Sequence, residues 1–543
     1  MADSDMFKNF KEHSVAEFFK KNRQMLGFSG KVRSMTMIVH EFVTNSLDAC
    51  EEAAILPEIF VQVEELSKDG DHYRITIKDN GPGIPKSHLA KALGQMLAGT
   101  KFHRYIQQRG QQGIGGSACV MFSYLTTGQP TRAVSCCNGK RISANIGIDF
   151  KSNKPIIEDV GEEPTLETGL TVTAEFKDVR YERSNHGVYE YLRRTALANP
   201  HCAITLIEPN NEKVVFPRSI EQNPPKAFEI KPHPLGIGTH DLLEFAKHNK
   251  ENRRISAFLQ NTFSRVSAGK VDELQALLPE LDFKKDPSDL TWNEAELIVK
   301  AFSKVKWIAP AMDSLVPIGK TQVETSFRNI FNPEVLVVTE RSPKVYRGGI
   351  PFMVEVGIAY GGGLVSAEKR GEVMRFANRV PLLFDNGGCA ITETIKSIDW
   401  KRYDVKDFEE EPLAVLVNLA SVYVPYTSAG KQAISIEEDI MDEIRFAVME
   451  ASRGVQKYLS GKRKAHEIAT KKKVVGRYAT QLASDLATLS GKKKSEIEPK
   501  IAKIIEEKYA SEPGGGEGEE GGADPSKNTD KNEDIPESEG GDE

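Results

Sequence analysis

Apolar and polar residues alternate in several short stretches within residues 1–229. In HYRITIKD, residues 72–79, every second position is apolar, and this period of two predicts a strand. The segment RAVSCCNGKRISANIGIDF predicts a hairpin around Asn138-Gly139, and GLTVTAEF predicts another strand. Because helical patterns lie before and after the first of these strands, we expect helices that cover one mostly antiparallel sheet.

The pattern changes at residues 229–240, EIKPHPLGIGTH, where Pro and Gly interrupt it. From DLLEFAKHNK to WNEAELIVKAF, apolar residues recur at helical spacing with short breaks, which predicts a small all-helical insert. Strand patterns return from about residue 309, in PEVLVVTE, GGIPFMVEVGIAYGG and LAVLVNLASVYVPY. A helical pattern then runs from Ser435 and is long enough to project from the body instead of covering a sheet. These changes predict an α+β protein of several domains.

Composition narrows the class of protein. The chain has 543 residues, of which 39% are hydrophobic and 28% charged, as in globular proteins of about three or four domains. No apolar run approaches the roughly 18 residues that cross a bilayer, and no basic stretch followed by an apolar one opens the sequence. We therefore expect a cytoplasmic protein that contacts no membrane. The six cysteines show no C-x-x-C spacing, which favours reduced and mostly buried thiols over a zinc site.

Charge is distributed unevenly between the last residues and the rest of the chain. Residues 511–543 carry 12 Asp or Glu and two Lys, and they contain one large aliphatic residue, Ile535. Such a segment buries too little apolar surface to offset the entropy of ordering, so we expect a disordered acidic tail. Whether the tail only keeps the protein in solution or also competes with nucleic acid stays open.

Three polar residues share one face of a predicted helix in HEFVTNSLDA. Glu41, Asn45 and Asp48 are four and seven positions apart, which places them within roughly a 60° arc at about 100° per residue. Much of the remaining surface of this helix is apolar, so the arc faces either a cavity or, as a solvated face, bulk water. In a cavity, carboxylates and an amide suit a magnesium site and a general base.

Two glycine-rich segments follow this helix. In DNGPGIP, residues 79–85, Asp79 continues the alternation of the preceding strand into a pocket, where its carboxylate can accept a hydrogen bond from an exocyclic amine. The alternative is an ordinary turn after a strand. In GTKFHRYIQQRGQQGIGGSA, residues 99–118, a glycine cluster before an apolar run can present backbone N–H groups to phosphates, although it is not a P-loop.

The order of these three segments resembles the GHKL ATPase family, which includes gyrase-type topoisomerases, histidine kinases and MutL proteins. The resemblance implies a GHKL (Bergerat) α/β sandwich that binds ATP and Mg²⁺. It implies that Glu41 activates the hydrolytic water, that Asn45 ligates magnesium, and that Asp79 binds the adenine amine. Gly83 would line the adenine pocket, and residues 109–116 would form a lid over the phosphates. The remaining nucleotide-binding residues that the resemblance implies are Asp48, Thr100, Lys101, Arg109, Gly110, Gln111, Gln112, Gly113, Ile114, Gly115 and Gly116.

A longer resemblance covers roughly residues 10–470. HEFVTNSLDAC, GTKFHRYIQQRGQQGIGGSA, FANRVPLLFD and YTSAGKQAI are similar to segments of the B subunits of the topoisomerase VI family. The resemblance implies an ATPase domain with an N-terminal strap at residues 1–229, a helix-two-turns-helix domain at 230–308, and a transducer domain at 309–470 with a long C-terminal helix. A helical region at residues 471–510 would dock a partner, ahead of the tail.

For two of the nucleotide contacts that the resemblance implies, more than one residue of this sequence is a candidate. In that family a loop lysine of the transducer reaches the γ-phosphate, and Lys431 and Lys320 both follow a glycine. We prefer Lys431, because it follows the strand LAVLVNLASVYVPY and precedes the long helix, as the lysine of the family does. Leu170 stands where some relatives carry a threonine near the adenine, and whether Thr168 or Thr171 makes that contact stays open.

The resemblance also implies the function, an ATP-binding and ATP-hydrolysing subunit of a type IIB DNA topoisomerase. ATP-driven self-dimerisation would close a gate on double-stranded DNA and drive strand passage that relaxes supercoils and decatenates DNA. The double-strand break would be made by the A subunit of topoisomerase VI, which carries the nucleophilic tyrosine, within an A2B2 heterotetramer. Basic clusters at residues 462–464, 471–473 and 492–494 either contact DNA phosphates or form solvated helix faces.

Domain order disfavours the other GHKL proteins. A histidine kinase needs a phosphoacceptor histidine on a dimerisation helix ahead of the ATPase motifs, and only about 40 residues precede Glu41. A chaperone of this fold would carry a long charged linker near residue 230, and MutL would lack the helical insert. A nucleotide sensor without turnover stays open, and measurable hydrolysis would exclude it.

Overall fold

The computed structural model describes residues 23–24, 27–67, 69–95, 105–110, 115–149, 154–365, 371–428 and 430–510. The chain divides into two compact units, Met1–Gln456 and Lys457–Glu543. The sequence predictions that lie outside the described residues are Thr100, Lys101, Gln111, Gln112, Gly113 and Ile114 of the lid, the strap before residue 23, and the acidic tail at 511–543.

The first part of the chain forms one sheet covered by helices. Its helices are α1 (Lys31–Glu52), α2 (Lys86–Gly94), α3 (Gly115–Thr127) and α4 (Val188–Ala198). Its strands are β1 (Glu58–Glu65), β2 (His72–Asp79), β3 (Thr131–Cys137), β4 (Lys140–Asp149), β5 (Lys154–Pro164), β6 (Gly169–Lys177), β7 (Ala203–Ile207) and β8 (Lys213–Phe216). The strand order is β5-β4-β3-β6-β2-β1-β7-β8, and only the β1–β7 pair among these neighbours is parallel. This confirms the expected helices over a mostly antiparallel sheet.

Local sequence signals account for much of this sheet. The hairpin between β3 and β4 turns at Asn138 and Gly139, which both have positive φ, 52° and 76°. That geometry suits a two-residue turn, because its twist matches that of the strands. Strand β1 was not predicted, although its apolar positions Ile59, Val61 and Val63 alternate and are buried in the same way as those of β2.

The middle of the chain is helical, as expected. It consists of α5 (Thr239–His248), α6 (Ile255–Thr262), α7 (Ala268–Leu277) and α8 (Trp292–Phe302). These helices enclose a hydrophobic core of their own, in which Phe263 makes edge-to-face contacts with Phe258 and Phe302. At the start of α8, Thr291 and Glu294 form a capping box, which satisfies backbone N–H groups at that helix end.

The next part of the chain forms a second sheet. Its strands are β9 (Val335–Glu340), β10 (Lys344–Tyr346), β11 (Ile350–Tyr360), β12 (Glu372–Ala377), β13 (Val380–Pro381) and β14 (Leu413–Ser421). The order is β10-β11-β14-β12-β13, and β9 also pairs with β11. Strands β11 and β14 are buried almost throughout, which explains why their sequences are continuous apolar runs. Helices α9 (Lys320–Phe331) and α10 (Ala390–Lys396) accompany this sheet and were not predicted.

The last helices are α11 (Glu438–Ser490) and α12 (Lys494–Ala510). The first turns of α11 are buried at Ile440, Ile444 and Val448, and Arg341 at the end of β9 pairs with Glu443 at 3.1 Å. The predicted long helix is therefore present. Within the described ranges, no helix is both long enough and apolar enough to cross a membrane. All six cysteines are buried and free, as the sequence predicted.

A close contact between α11 and β9 makes the packing of this helix testable. A Cβ added at Gly454 would lie 2.7 Å from a methyl carbon of Val337, whereas Gly461 of the same helix has nothing within 4 Å. We expect Gly454→Leu to lower the free energy of unfolding by about 1–3 kcal/mol, because overpacking forces neighbouring side chains or backbone to move. Gly461→Leu should not lower it and should raise it by up to about 1 kcal/mol, because glycine is a poor helix former and the position is open. Urea denaturation measures both, and equal losses would contradict this packing.

Candidate functional site

The polar face of α1 meets the described N-terminal end of α3. A Cβ added at Gly115 would overlap the carboxylate of Glu41, and one added at Gly116 would lie 3.4 Å from the amide nitrogen of Asn45. Glycine is therefore required at Gly115 for the two helices to approach this closely. Four predicted site residues therefore lie together, Glu41, Asn45, Gly115 and Gly116. The two glycines allow this close approach because they have no side chain.

Glu41 lies beside His40 and near Lys431. The Nε2 atom of His40 is 4.0 Å from a carboxylate oxygen of Glu41. Burial lowers the pKa of His40; the Glu41 carboxylate opposes this shift, and the Lys431 ammonium adds to it. Because the imidazole is buried and its pKa is lowered, it is neutral at neutral pH. The carboxylate thus has a neutral ring on one side and a cation in its vicinity.

Asp79 ends β2 with its carboxylate inside the protein, as the alternation predicted. It is 4% exposed and accepts hydrogen bonds from Ser46 Oγ at 2.7 Å, Gly81 N at 3.0 Å and Leu170 N at 3.1 Å. Burial raises the pKa of Asp79, and these three donors hold the shift back. Oδ1 accepts both backbone bonds, so Oδ2 keeps capacity for one donor besides Ser46. The contacts from Ser46 and Leu170 were missed by sequence reasoning.

The loop after Asp79 packs closely against β3 and is hydrogen-bonded to it. Gly83 has a φ of +70°, and a Cβ there would overlap the carbonyl oxygen of Cys136. The hydroxyl of Ser135 accepts from Ile84 N at 2.7 Å and donates to Ile84 O at 2.8 Å. The glycine at position 83 is thus fixed by close backbone approach as well as by its conformation. This loop is more than an ordinary exposed turn.

Arg109, predicted as a lid donor, has its guanidinium turned into the protein. The side chain is 5% exposed; it donates to Asp48 Oδ1 at 2.9 Å, Glu51 Oε1 at 2.7 Å and Asn199 Oδ1 at 2.6 Å. Burial disfavours the charged form, but Glu51 and then Asp48 outweigh it and raise the pKa of Arg109. Asp48 therefore belongs to a buried ion cluster in this structure, and the phosphate-binding roles predicted for Asp48 and Arg109 stay predictions.

Glu51 connects this cluster to the second sheet. Its carboxylate pairs with Arg109, with His201 Nε2 at 2.8 Å and with Arg379 Nη2 at 2.9 Å. Burial alone would raise the pKa of Glu51, but the cations of Arg109 and Arg379 hold it well below its ordinary value. Arg379 lies in the turn between β12 and β13, so a charged contact joins α1 to that turn. Sequence reasoning did not identify Glu51, His201 or Arg379.

Lys431 reaches the lid from the loop after β14. Its ammonium donates to the carbonyl oxygen of Arg109 at 3.3 Å. The loop is closed by a bridge between Tyr426 and Ile434, and Gln432 Oε1 accepts from the backbone N–H of Leu383 at 3.2 Å. Lys320, the alternative, is exposed at the first position of α9.

The threonines considered for the adenine contact lie beside Asp79. Thr168 Oγ1 donates to the carbonyl of Asn80 at 3.4 Å, and Thr171 lies in β6 opposite Lys78. At residue 170 the contact with Asp79 comes from the backbone N–H, which any residue type except proline supplies. The choice between Thr168 and Thr171 stays open.

Two family models match regions of this chain. The family model described as histidine kinase-, DNA gyrase B- and HSP90-like ATPase matches residues 30–178, and the model described as topoisomerase VI B subunit, transducer, matches residues 310–472. The crystal structure of the 43K ATPase domain of Thermus thermophilus gyrase B in complex with an aminocoumarin is 14% identical and covers 85% of this chain and 98% of that chain. Its TM-score of 0.37 is too low to support an argument about the site.

Curated relatives match over almost the whole chain. The B subunit of type 2 DNA topoisomerase 6 from Pyrococcus horikoshii is 44% identical over 94% of this chain and 97% of its own length. The protein of the same name from Methanothermobacter thermautotrophicus is 45% identical over 90% of this chain and 94% of its own length. The GHKL-type ATPase region, the transducer region and this identity together show that the chain belongs to the family of type 2 DNA topoisomerase 6 B subunits.

Proposed function

We propose that this chain is the ATP-binding and ATP-hydrolysing subunit of a type IIB DNA topoisomerase. The observation that carries the proposal is the bond from Lys431 Nζ to the Arg109 carbonyl, which brings a cation from the transducer region to the lid of the ATPase site. Glu41 lies in the same neighbourhood, because both groups act on the pKa of His40. A base and a cation from two different regions thus converge where hydrolysis needs them.

Glu41 and Lys431 have different roles in the proposed hydrolysis. Glu41 orients a water molecule and accepts its proton, with its carboxylate confined between His40 and the backbone of Gly115. Lys431 stabilises charge on the terminal phosphate, and the preorganised position of its loop lowers the cost of doing so. The two groups proposed for hydrolysis therefore come from different elements, the base from α1 and the cation from the loop after β14.

The structure contains groups that fit a nucleotide and its metal ion. Oδ2 of Asp79 can accept one more hydrogen bond, which suits an exocyclic amine, and Gly83 lets backbone and ligand approach closely. The amide of Asn45 is exposed on the same helix face as Glu41, and its oxygen would be a ligand for Mg²⁺. Mg²⁺ bound with the nucleotide would neutralise charge on the phosphates.

The assembly belongs to the same proposal. The relatives are named as B subunits of a type 2 DNA topoisomerase, and a protein of that kind works with a partner and with DNA. We propose a partner of the A type that carries the nucleophilic tyrosine, an A2B2 heterotetramer formed by nucleotide-dependent self-dimerisation, and a cytoplasmic location. The helix-two-turns-helix assignment of residues 230–308 and the partner-docking role of residues 471–510 are part of this proposal.

Glu41→Gln and Glu41→Ala should both retain ATP binding and lose hydrolysis. The carboxylate is proposed to take a proton from water, and neither substitute can do so at neutral pH. Steady-state turnover and nucleotide affinity of the full chain measure the two effects separately. Glu52→Gln, an exposed carboxylate at the end of the same helix, is the matched control and should keep parental turnover. Near-normal turnover of the Glu41 variants would refute the assignment of the base.

Lys431→Ala should cut turnover by roughly 10²–10³, the usual scale for the loss of one preorganised electrostatic donor. Lys320→Ala removes the same charge at the exposed start of α9 and should do much less. Both variants are compared at saturating ATP. If the ranking of the two variants is reversed, the wrong lysine has been assigned to the phosphate.

Deletion of residues 457–543 should leave ATP-dependent dimerisation intact and abolish association with the cleaving partner. Residues up to Gln456 form a compact unit that contains every described residue of the ATPase site. Size-exclusion chromatography with a non-hydrolysable nucleotide measures dimerisation, and co-purification measures partner binding, with the full chain as control. Partner binding by the shortened chain would contradict the docking role. Relaxation of supercoiled DNA by the purified single chain would contradict the need for a cleaving partner.

A further inference from the structure

Residues 105–110, which we call the lid stem, include the first two residues of the segment predicted as the lid, 109–116. Three successive residues of the stem each contact the transducer region. Gln107 pairs with the backbone of Val316, Asn378 Nδ2 donates to the carbonyl of Gln108 at 3.1 Å, and Lys431 donates to the carbonyl of Arg109. The segment that carries the lid is therefore held by the region that must respond to the nucleotide.

The contact between Gln107 and Val316 is two-sided. Gln107 Nε2 donates to Val316 O at 2.7 Å, and Val316 N donates to Gln107 Oε1 at 2.7 Å. Gln107 is buried, so both bonds form away from solvent. An amide that engages the N–H and the C=O of one residue fixes direction as well as distance, because its donor and its acceptor are separate atoms of one planar group. This pairing orients the stem relative to the loop before α9.

That loop is in turn anchored inside the second sheet. Glu355 of β11 is 1% exposed; its carboxylate accepts from Ile318 N at 2.9 Å and Gly319 N at 2.7 Å. Asn418 of β14 donates to the same carboxylate at 2.7 Å. Burial raises the pKa of Glu355, and the donors from Gly319 and Ile318 are the first to oppose that shift. The loop that holds Gln107 is thus tied to two neighbouring strands.

The connection returns to the stem by a second route. Asn418 Oδ1 accepts from the backbone N–H of Arg379 at 3.1 Å, and the Arg379 guanidinium bonds Glu51 at 2.9 Å. Glu51 bonds Arg109 of the stem at 2.7 Å. We call this closed set the polar ring; its members are Gln107, Val316, Ile318, Gly319, Glu355, Asn418, Arg379, Glu51 and Arg109.

The polar ring and Lys431 differ in how easily each can separate from the stem. Most groups of the ring are buried, and breaking a bond between two of them leaves a buried donor or acceptor without its partner, which is costly. Lys431 holds the stem by one ammonium on a flexible chain, at 3.3 Å from a neutral carbonyl. The ring therefore keeps the stem on the second sheet, while the lysine can exchange the carbonyl for another acceptor.

We propose that Gln107 is a positioning residue for ATP hydrolysis, whose pairing with Val316 holds the lid stem on the transducer region so that Lys431 reaches the nucleotide. This inference rests on the proposed function, because it acts through the phosphate contact of Lys431. Without the pairing the nucleotide still binds to α1 and the Asp79 loop, but the lysine is no longer held in register with the lid.

Gln107→Met tests the proposal, because it keeps the length of the side chain and removes both the donor and the acceptor. We expect kcat of the full chain to fall about tenfold while KM stays within about twofold, the pattern of an interaction used only after binding. Gln275→Met, an exposed glutamine of α7, is the matched control and should keep both parameters. An unchanged kcat, or a change confined to KM, would overturn the proposal.

A double-mutant cycle distinguishes a loss of kcat that acts through Lys431 from a loss caused by a general disturbance of the structure. In a Lys431→Ala background, Gln107→Met should lower kcat by less than about twofold, because the group that it positions is gone. An undiminished tenfold loss in that background would overturn the inference while leaving the proposed function intact. If Lys431→Ala alone keeps parental turnover, both the lysine assignment and the inference fail.

Glu355→Gln repeats the test on the far side of the polar ring without touching the stem. It replaces one acceptor oxygen by an NH₂ group facing a donor, which breaks a link of the ring and preserves its shape. We expect a smaller kcat loss of the same kind, again absent in the Lys431→Ala background. Thermal unfolding and nucleotide affinity are measured on every variant. If Gln107→Met does not fold, parental kcat in a folded Glu355→Gln variant overturns the proposal.

Discussion

A buried guanidinium at Arg109 is the constraint on which the rest of the site depends. A charge with almost no exposed surface must be paired, and Asp48 and Glu51, one turn apart on α1, provide the two carboxylates. This pairing fixes the end of the lid stem on α1 and turns the Arg109 carbonyl toward Lys431. A side chain that is turned into the protein thus fixes the position of the lid stem on α1.

Helix α1 consequently serves two purposes with two parts of its surface. Toward its middle, Glu41 and Asn45 face the glycine end of α3, where any side chain on Gly115 would collide with the carboxylate. Toward its C-terminal end, Asp48 and Glu51 hold Arg109 and Arg379. Because one helix carries both sets, the distance between the Glu41 carboxylate and the ion cluster is fixed by helix geometry.

The sequence predicted elements whose signal is local, and it missed contacts whose signal is not. Periodicity of two found β2 and β6, and Asn138-Gly139 found the β3–β4 turn. The arc of Glu41 and Asn45 also follows from helical spacing. By contrast, the pairing of Gln107 with Val316 joins residues 209 positions apart, and the bond to Asp79 from Leu170 uses a backbone N–H. Neither contact leaves a pattern in the order of residue types, so a single sequence cannot indicate it.

The contrast between the polar ring and Lys431 indicates where a nucleotide-dependent change gets its free energy. A ligand shifts an equilibrium only through contacts that differ between the two states. Bonds of the ring that persist in both states contribute nothing to that difference, and on this proposal they would couple the lid stem to the second sheet. On the proposed function, Lys431 would exchange a neutral carbonyl for a charged phosphate, which adds the attraction between opposite charges to a bond that the ammonium already makes. On that proposal, the contact of Lys431 with the phosphate would supply the difference in free energy, and the polar ring would carry its effect to the second sheet.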